Sequence, residues 1–161
     1  MKIVKEIIPY LIIVFIVILI RTFLFTPIRV NGSSMYPTLR DKEIMILNKI
    51  GKRVNGLKRY DIVVLKDEDY LIKRVIGLPG ETISCQDGII YINGKKIKDD
   101  YGYGETNDFD PTIIPKGQYF VLGDNRENSK DSRYIGNISK KSIKGKTSFI
   151  LFPLKKIGKV K

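Results

Sequence analysis

The amino-terminal part of the chain contains a long apolar run. Residues 7–25 are apolar apart from Arg21, and residues 7–20 carry no charge. A helix of this length rises about 28 Å, which is close to the thickness of the hydrocarbon core of a bilayer. No polar face interrupts the run, so a helix buried in a protein core is disfavoured. The pattern predicts a membrane anchor over residues 1–25.

A cleavable signal peptide is the main alternative to a permanent anchor, because Lys2 and Lys5 would supply its basic start. Cleavage requires small residues after the apolar run. Here residues 21–25 are RTFLF, and the sequence contains no alanine. An uncleaved anchor is therefore favoured.

The pattern changes after Thr26-Pro27, where proline is expected to end the helix. Short segments rich in isoleucine, valine and tyrosine follow, separated by Gly, Pro, Asn and Asp. They predict strands over residues 28–30, 43–48, 61–65, 71–77, 82–86, 89–92, 118–122 and 146–151. Asn93-Gly94 predicts a hairpin turn, because both residues tolerate a positive φ. The polar, glycine-rich segment 99–110 is expected to be a mobile loop.

These elements predict a mainly β fold for residues 26–161, with curved antiparallel sheets or a partly open barrel. A hairpin and loop insertion is expected at about residues 81–117. The whole chain is then one N-terminal transmembrane helix followed by one β domain.

The chain is strongly basic, with a formal net charge of +12. Such a charge is typical of nucleic-acid binding, or of attraction to anionic lipid headgroups beside a membrane anchor. The predicted span in the same chain favours the lipid explanation, and the basic segment 155–161 fits it. We therefore predict contact with anionic lipid and no binding of nucleic acid.

Two absences narrow the possible chemistry. The chain has no histidine and a single cysteine, Cys85. This excludes Ser-His-Asp and Cys-His catalysis, an internal disulfide and a multi-cysteine zinc site. A chain of this composition that performs acyl transfer must use a lysine or a carboxylate as its general base. No metal or other cofactor is predicted.

A glycine-serine turn is the first candidate for chemistry. Residues 31–39, NGSSMYPTL, place glycine before two serines and proline three residues after Ser34. A tight, irregular turn of this kind presents a hydroxyl group and leaves a backbone N–H free to bind an oxyanion. Taken alone the pattern is weak, because most such turns are ordinary loops.

A lysine in a predicted strand is the second candidate. In residues 70–80, YLIKRVIGLPG, alternation places Lys73 between Leu71 and Val75, with Arg74 on the opposite face. Burial disfavours the ammonium form. Lowering a lysine pKa from about 10.4 to about 7–8 corresponds to roughly 4 kcal/mol, and it reaches the range that a general base needs. The alternative is a lysine whose amine reaches solvent at a strand end.

A polar block, GDNRENSKDSRYIG, follows an apolar strand at residues 123–136. Alone it is equally typical of a solvated loop rich in Asx turns. Together, however, the runs SMYPTL, YDIVV, IKRVIGLPGE and this block occur in the order found in the bacterial type I signal peptidases. The chain resembles that family over residues 1–154, in the compact form found in Gram-positive bacteria.

The resemblance implies a Ser/Lys peptidase core in which Ser34 is the nucleophile and Lys73 the general base. Ser129 resembles the family's serine that donates a hydrogen bond to the lysine and orients it. The resemblance also implies an ion-pair set that braces the site, formed by Arg74, Asp131 and Arg133, with Asp124 in the same supporting block. Gly32 departs from members that carry a serine there to complete the oxyanion hole, so the second donor would be backbone or water.

The implied function is a membrane-bound endopeptidase that removes signal peptides from secreted preproteins and cuts after small residues. The substrate would lie extended along strand edges. Apolar side chains are expected to narrow its pockets, and they are Val30, Met35, Leu39, Leu71 and Ile72.

The expected location is the cell membrane, with the N-terminus in the cytoplasm and residues 26–161 outside. No obligate protein partner is predicted. Two other functions remain open. One is a non-enzymatic anchored module that binds lipid or nucleic acid. The other is a self-cleaving Ser/Lys repressor-type protein, which would need a DNA-binding domain and its own cleavage site.

Overall fold

The computed structural model describes residues 2–50, 56–67 and 69–160. Helix α1 spans Lys2–Leu19, and a π-helical stretch continues it over Ile20–Leu24. The strands follow as β1 (Phe25–Arg29), β2 (Ile44–Asn48), β3 (Ile62–Lys66), β4 (Tyr70–Gly77), β5 (Thr82–Gln86), β6 (Ile89–Ile92), β7 (Lys95–Lys96), β8 (Phe109–Ile113), β9 (Gln118–Leu122), β10 (Ile138–Ser139), β11 (Ile143–Phe152) and β12 (Gly158–Lys159). A short helix α2 (Ser132–Ile135) precedes β10, and a 3-10 turn over Leu154–Lys156 precedes β12.

Helix α1 exposes its apolar side chains on all sides. The exposed fraction is 47% at Ile7 and 39% at Leu19. Its carboxyl end is tied to the first two strands. Lys49 Nζ donates to the Thr22 carbonyl oxygen at 2.8 Å, and Thr26 Oγ1 donates to the Arg21 carbonyl oxygen at 2.9 Å. These bonds satisfy carbonyl groups that a helix end leaves unpaired.

Within the described residues, no helix combines the length and the apolar character that crossing a bilayer requires. The helical segment ends at Leu24, and Pro27 lies inside β1 instead of ending the helix. Proline is tolerated there because β1 is an edge strand that pairs only with β2 in the sheet order.

The larger sheet has eight strands in the order β1-β2-β11-β3-β4-β9-β10, with β12 paired to β11. Its pairs are antiparallel, and β11 shifts register twice along β2. Such irregularities bend a strand and increase its twist. Gly145 allows the close approach of β11 to β2, because a Cβ there would lie 2.5 Å from the Asn48 carbonyl oxygen. The curved antiparallel sheet predicted from the sequence is confirmed.

The smaller sheet has the order β7-β6-β5-β8. It packs on the larger sheet through a buried cluster that includes Ile83 and Ile90 from the small sheet and Ile76, Phe120 and Leu122 from the large one. The predicted hairpin is confirmed, since Asn93 and Gly94 have φ of 52° and 75° between the paired strands β6 and β7.

The strands expected at residues 82–86, 89–92 and 118–122 are observed with those bounds. The expectation of a loop over all of 99–110 is wrong, because its last two residues belong to β8, which pairs with β5. Strand β8 contains Pro111 and the exposed Asp110, so its sequence lacks a strand pattern. The two-residue strands β10 and β12 and the short helix α2 were also not predicted.

Two adjacent isoleucines test how far the contact between the sheets stabilises the fold. Ile114 is fully buried in that contact, whereas Ile113 is 72% exposed. We expect Ile114→Ala to lower the free energy of unfolding by about 2–5 kcal/mol, and Ile113→Ala to change it by no more than about 0.5 kcal/mol. Urea unfolding followed by tyrosine fluorescence measures both. Equal effects of the two substitutions would contradict the packing described.

Candidate active site

The turn that carries Ser34 lies between β1 and β2 and is held by its apolar side chains. Met35 and Leu39 are 1% and 0% exposed and pack with Met45 of β2 in one core cluster. The Leu39 N–H donates to the Met35 carbonyl oxygen at 2.8 Å, which closes the turn. Ser34 itself remains partly exposed. Burial of its neighbours therefore presents the hydroxyl group at the surface of the core.

Gly32 begins this turn with a φ of +89°, and its N–H donates to Asp41 Oδ1 at 2.9 Å. A residue with a side chain is strained at that φ. The conformation accounts for glycine at the position where the resemblance would allow a serine.

Lys73 lies in β4, at the centre of the larger sheet, and is only 2% exposed. It faces Val63 of the neighbouring strand β3. As alternation predicts, its face also carries Leu71 and Val75, which pack in the same core cluster as Val63. Its Nζ lies 2.7 Å from Ser34 Oγ. The fold thus brings together the two residues that the sequence selects as nucleophile and base.

Burial lowers the pKa of Lys73 to about 8, while the carboxylates of Asp131 and Asp124 act in the opposite direction. Removal of the ammonium group from water is the larger of these effects. A neutral amine 2.7 Å from a hydroxyl oxygen is in position to accept its proton. The pair can therefore activate the hydroxyl near neutral pH without histidine.

Asp124 is neutralised by Arg74, on the face of β4 opposite Lys73. Arg74 Nε and Nη2 donate to the two Asp124 oxygens at 2.8 and 2.6 Å, and both side chains are nearly inaccessible. Thr38 Oγ1, in the turn that carries Ser34, donates to Asp124 Oδ2 at 2.5 Å. Such a two-pronged pair has fixed geometry, and here it also holds the turn.

Asp131 and Arg133 form a second buried pair. Arg133 Nε and Nη2 donate to the Asp131 oxygens, each at 2.9 Å. Asp131 also accepts from the Gly123 N–H at 2.9 Å and caps helix α2. Arg133 Nη2 donates to the Arg126 carbonyl oxygen at 2.6 Å. The three residues expected to form ion pairs therefore belong to two pairs, because Arg74 pairs with Asp124 and Arg133 with Asp131.

Gly123, the first residue after β9, allows the loop that follows this strand to contact the turn that carries Ser34. A Cβ at Gly123 would lie 2.5 Å from the Ser34 carbonyl oxygen and 2.2 Å from Ser129 Oγ. The same carbonyl oxygen accepts from the Asn125 N–H at 3.1 Å. Asn128 Nδ2 donates to Ser33 Oγ at 2.9 Å. The two asparagines were not selected from the sequence, since amide side chains in a polar loop carry no pattern of their own.

Ser129 lies beside Gly123 but does not contact Lys73 as the resemblance implies. Its hydroxyl oxygen is buried and has no hydrogen-bond partner within the described residues. The hydrogen bond expected between Ser129 and Lys73 is therefore not formed in this structure.

A cavity of about 610 Å³ opens beside the Ser34–Lys73 pair. Four of the five residues expected to form substrate pockets line it, namely Val30, Met35, Leu71 and Ile72. Leu39 does not, because it is fully buried beneath the turn. The sequence analysis missed further lining residues, which are Thr26, Ile28, Arg29, Leu47, Lys49, Val64, Tyr70 and Lys144. Most come from neighbouring strands whose alignment only the sheet order reveals.

The Ser34 backbone N–H makes no hydrogen bond within the described part of the chain. An unpaired N–H on the nucleophile itself can bind an oxyanion that forms at the attacked carbonyl.

Comparison with known proteins places this geometry in a wider context. Residues 2–152 match the protein family described as signal peptidase, peptidase S26. A signal peptidase I of Bacillus amyloliquefaciens is 44% identical over 161 residues, covering 92% of this chain and 87% of that protein. Signal peptidase I T of Bacillus subtilis strain 168 is 44% identical over 163 residues, covering 92% and 84%. The crystal structure of a signal peptidase I from Enterococcus faecalis V583 is 37% identical with a TM-score of 0.51, and the match covers 56% of this chain and 95% of that one.

The lowered pKa of Lys73 predicts how Ser34 responds to pH. Only the neutral amine accepts a proton, so acylation of Ser34 by a small β-lactam-type reagent should rise with pH with an apparent pKa near 8. Lys73→Arg should prevent acylation throughout, because guanidinium stays protonated. Mass spectrometry of the acylated protein gives the rates. An inflection near the ordinary lysine pKa of 10.5 would show that the amine is not buried as described.

Proposed function

Because the chain belongs to the signal peptidase family, peptidase S26, we propose that it removes signal peptides from secreted preproteins with Ser34 as nucleophile and Lys73 as general base. The contact of 2.7 Å between Lys73 Nζ and Ser34 Oγ is the observation that carries this assignment. A buried lysine with a lowered pKa beside a presented serine is the arrangement that nucleophilic catalysis needs when histidine is absent.

In the proposed acylation step, Ser34 Oγ attacks the carbonyl carbon of the substrate residue before the scissile bond. Lys73 Nζ takes the hydroxyl proton as the new C–O bond forms. The Ser34 N–H stabilises the oxyanion of the tetrahedral intermediate. The C–N bond then breaks, the leaving amine takes the proton from Lys73, and the acyl-enzyme remains.

Deacylation repeats the same transfers with water. Neutral Lys73 takes a proton from a water molecule, whose oxygen attacks the acyl carbon. Collapse of the second intermediate breaks the bond to Ser34 Oγ, which recovers a proton from Lys73. The free signal peptide then has a carboxylate at its end. The two arginine–aspartate pairs support this cycle, since each places a guanidinium on a carboxylate that would otherwise favour protonated Lys73.

The cavity gives the proposal a substrate site. Val30 and Met35 approach it from the nucleophile turn, and Leu71 and Ile72 approach it from β4. An extended peptide that lies between these two walls would present small side chains to apolar surface. We propose that these apolar side chains narrow the cavity and so select small residues before the scissile bond.

We further propose that the protein is held at the cell membrane by α1, with its N-terminus in the cytoplasm and the catalytic part outside. The exposed apolar side chains of α1 support contact with lipid, because such a surface is disfavoured in water. The net charge of +12 supports additional attraction to anionic headgroups.

Adjacent serines provide a matched test of the nucleophile. Ser34→Ala should reduce cleavage of a preprotein with an Ala-X-Ala site by at least about a thousandfold, because no other group can form the acyl-enzyme. Ser33→Ala should keep most of the activity, since the Ser33 hydroxyl lies against Asn128 rather than Lys73. Mass spectrometry of the products locates the cut.

Retained activity in Ser34→Ala, with loss in Ser33→Ala, would assign the nucleophile to Ser33. Absence of cleavage by the unmodified protein would favour a non-enzymatic anchored module. Cleavage of its own chain alone would favour the self-cleaving alternative.

A second test concerns the membrane. The full-length protein should stay with the membrane fraction during alkaline extraction, whereas a protein that begins at Phe25 should be released and still cleave short peptides, because the β sheets do not include α1. Protease added to intact protoplasts should degrade the catalytic part. Protection until the membrane is permeabilised would contradict the proposed orientation.

A further inference from the structure

The segment 98–106 covers the Arg74–Asp124 pair from the side away from Lys73. The Tyr101 ring lies over the Arg74 guanidinium, with 3.7 Å between its centroid and Arg74 Cζ. Tyr60 packs against Tyr101 with ring centroids 5.2 Å apart, and the Tyr60 hydroxyl donates to the Lys98 carbonyl oxygen at 2.6 Å. Tyr101 is therefore held in place on both sides.

The backbone of the same segment is tied to the loop after β9. The Tyr103 N–H donates to the Asp124 carbonyl oxygen at 2.7 Å, and the Arg126 N–H donates to the Tyr103 carbonyl oxygen at 2.9 Å. Arg126 Nη1 contacts Asp99 Oδ2 at 2.5 Å. These bonds fix the segment on residues 124–126, so Tyr101 has a defined position over Arg74.

Arg74 leaves one surface for Tyr101 to cover. Its Nε and Nη2 donate to Asp124, and its Nη1 donates to the Tyr60 carbonyl oxygen at 3.0 Å. The edge of the guanidinium is thus occupied and its flat face remains. An aromatic ring on that face attracts the cation and excludes water, which strengthens the ion pair beneath it.

We propose that Tyr101 is a positioning residue of the active site, and that it acts by holding the Arg74 guanidinium on Asp124. The proposal rests on the assignment of Ser34 and Lys73 above. Asp124 transmits the effect in two ways. It accepts from Thr38 in the nucleophile turn, and the next residue, Asn125, donates its N–H to the Ser34 carbonyl oxygen.

Loss of the ring admits water to the ion pair and loosens Arg74 from Asp124. The Asp124 charge is then less neutralised where it acts on Lys73. The other carboxylate that acts on Lys73, Asp131, stays paired with Arg133, and Ser34 Oγ lies 2.7 Å from Lys73 Nζ. Three further cations, Arg29, Lys49 and Lys144, line the same cavity and are not altered by the substitution. The base should therefore hold its proton to higher pH, and the nucleophile turn should be less well fixed.

The test compares Tyr101→Leu with Tyr101→Phe in the full-length protein. Leucine removes the aromatic face, whereas phenylalanine keeps it, and the Tyr101 hydroxyl makes no hydrogen bond within the described residues. For Tyr101→Leu we expect kcat to fall on the order of tenfold, KM to stay within about twofold, and the apparent pKa of the rate to rise from its value near 8. Tyr101→Phe should restore all three values.

Tyr91→Leu is the matched control. Tyr91 is also a half-buried tyrosine, but it lies in β6 of the smaller sheet, away from the ion pairs. The Tyr91→Leu variant should have an unchanged kcat and pH profile. Thermal unfolding of all variants identifies any loss of activity that comes from a less stable fold alone.

Two results would overturn the proposal. One is a folded Tyr101→Leu protein with unchanged kcat and pH profile. The other is an equal loss in Tyr101→Phe, which would assign the role to the hydroxyl group. The pKa of Lys73 can also be measured directly, from the pH dependence of its modification by a small reagent that reacts with neutral amines. If the unmodified protein cleaves no preprotein, the proposed function fails, while a higher Lys73 pKa in Tyr101→Leu still supports the role of Tyr101.

Discussion

The burial of one amine is the constraint on which the rest of the site depends. Burial of Lys73 in β4, inside the larger sheet and 2% exposed, lowers its pKa to about 8. The carboxylates of Asp131 and Asp124 act on that amine in the opposite direction. Each is held by an arginine, in the pairs Arg74–Asp124 and Arg133–Asp131. The ion pairs are therefore a condition for a neutral lysine rather than a separate source of stability.

The parts of the fold that sequence could predict are those with a local pattern. Strands β5, β6 and β9 alternate or run apolar between turn residues, and their bounds match the prediction. Strand β8 could not be found in this way, because Asp110 and Pro111 break any strand pattern and its pairing with β5 decides its conformation. The place of Pro27 inside β1 was not foreseen for a related reason, since it depends on β1 being an edge strand.

The residues of the candidate site also fall into those that the sequence could predict and those that depend on tertiary packing. Ser34 and Lys73 were candidates from the turn and from strand alternation, and the family resemblance selected them; the structure brings them within 2.7 Å. The position of Leu39 under the turn, and the missing contact of Ser129 with Lys73, depend on packing that no spacing encodes. The cover that Tyr101 provides for Arg74 also needs the tertiary structure, because segment 98–106 looks like a polar loop until its ties to residues 124–126 are seen.

One lysine links the helix to the cavity. Lys49 lines the cavity, and its amine also donates to the Thr22 carbonyl oxygen at the end of the helical segment. Thr26 does the same from β1, where it lines the cavity and donates to the Arg21 carbonyl oxygen. Because Thr26 lies in β1 and Lys49 directly follows β2, the end of the helical segment is bonded to the wall of the cavity. A helix that binds lipid, as proposed above, would then hold the cavity at a fixed place next to the bilayer.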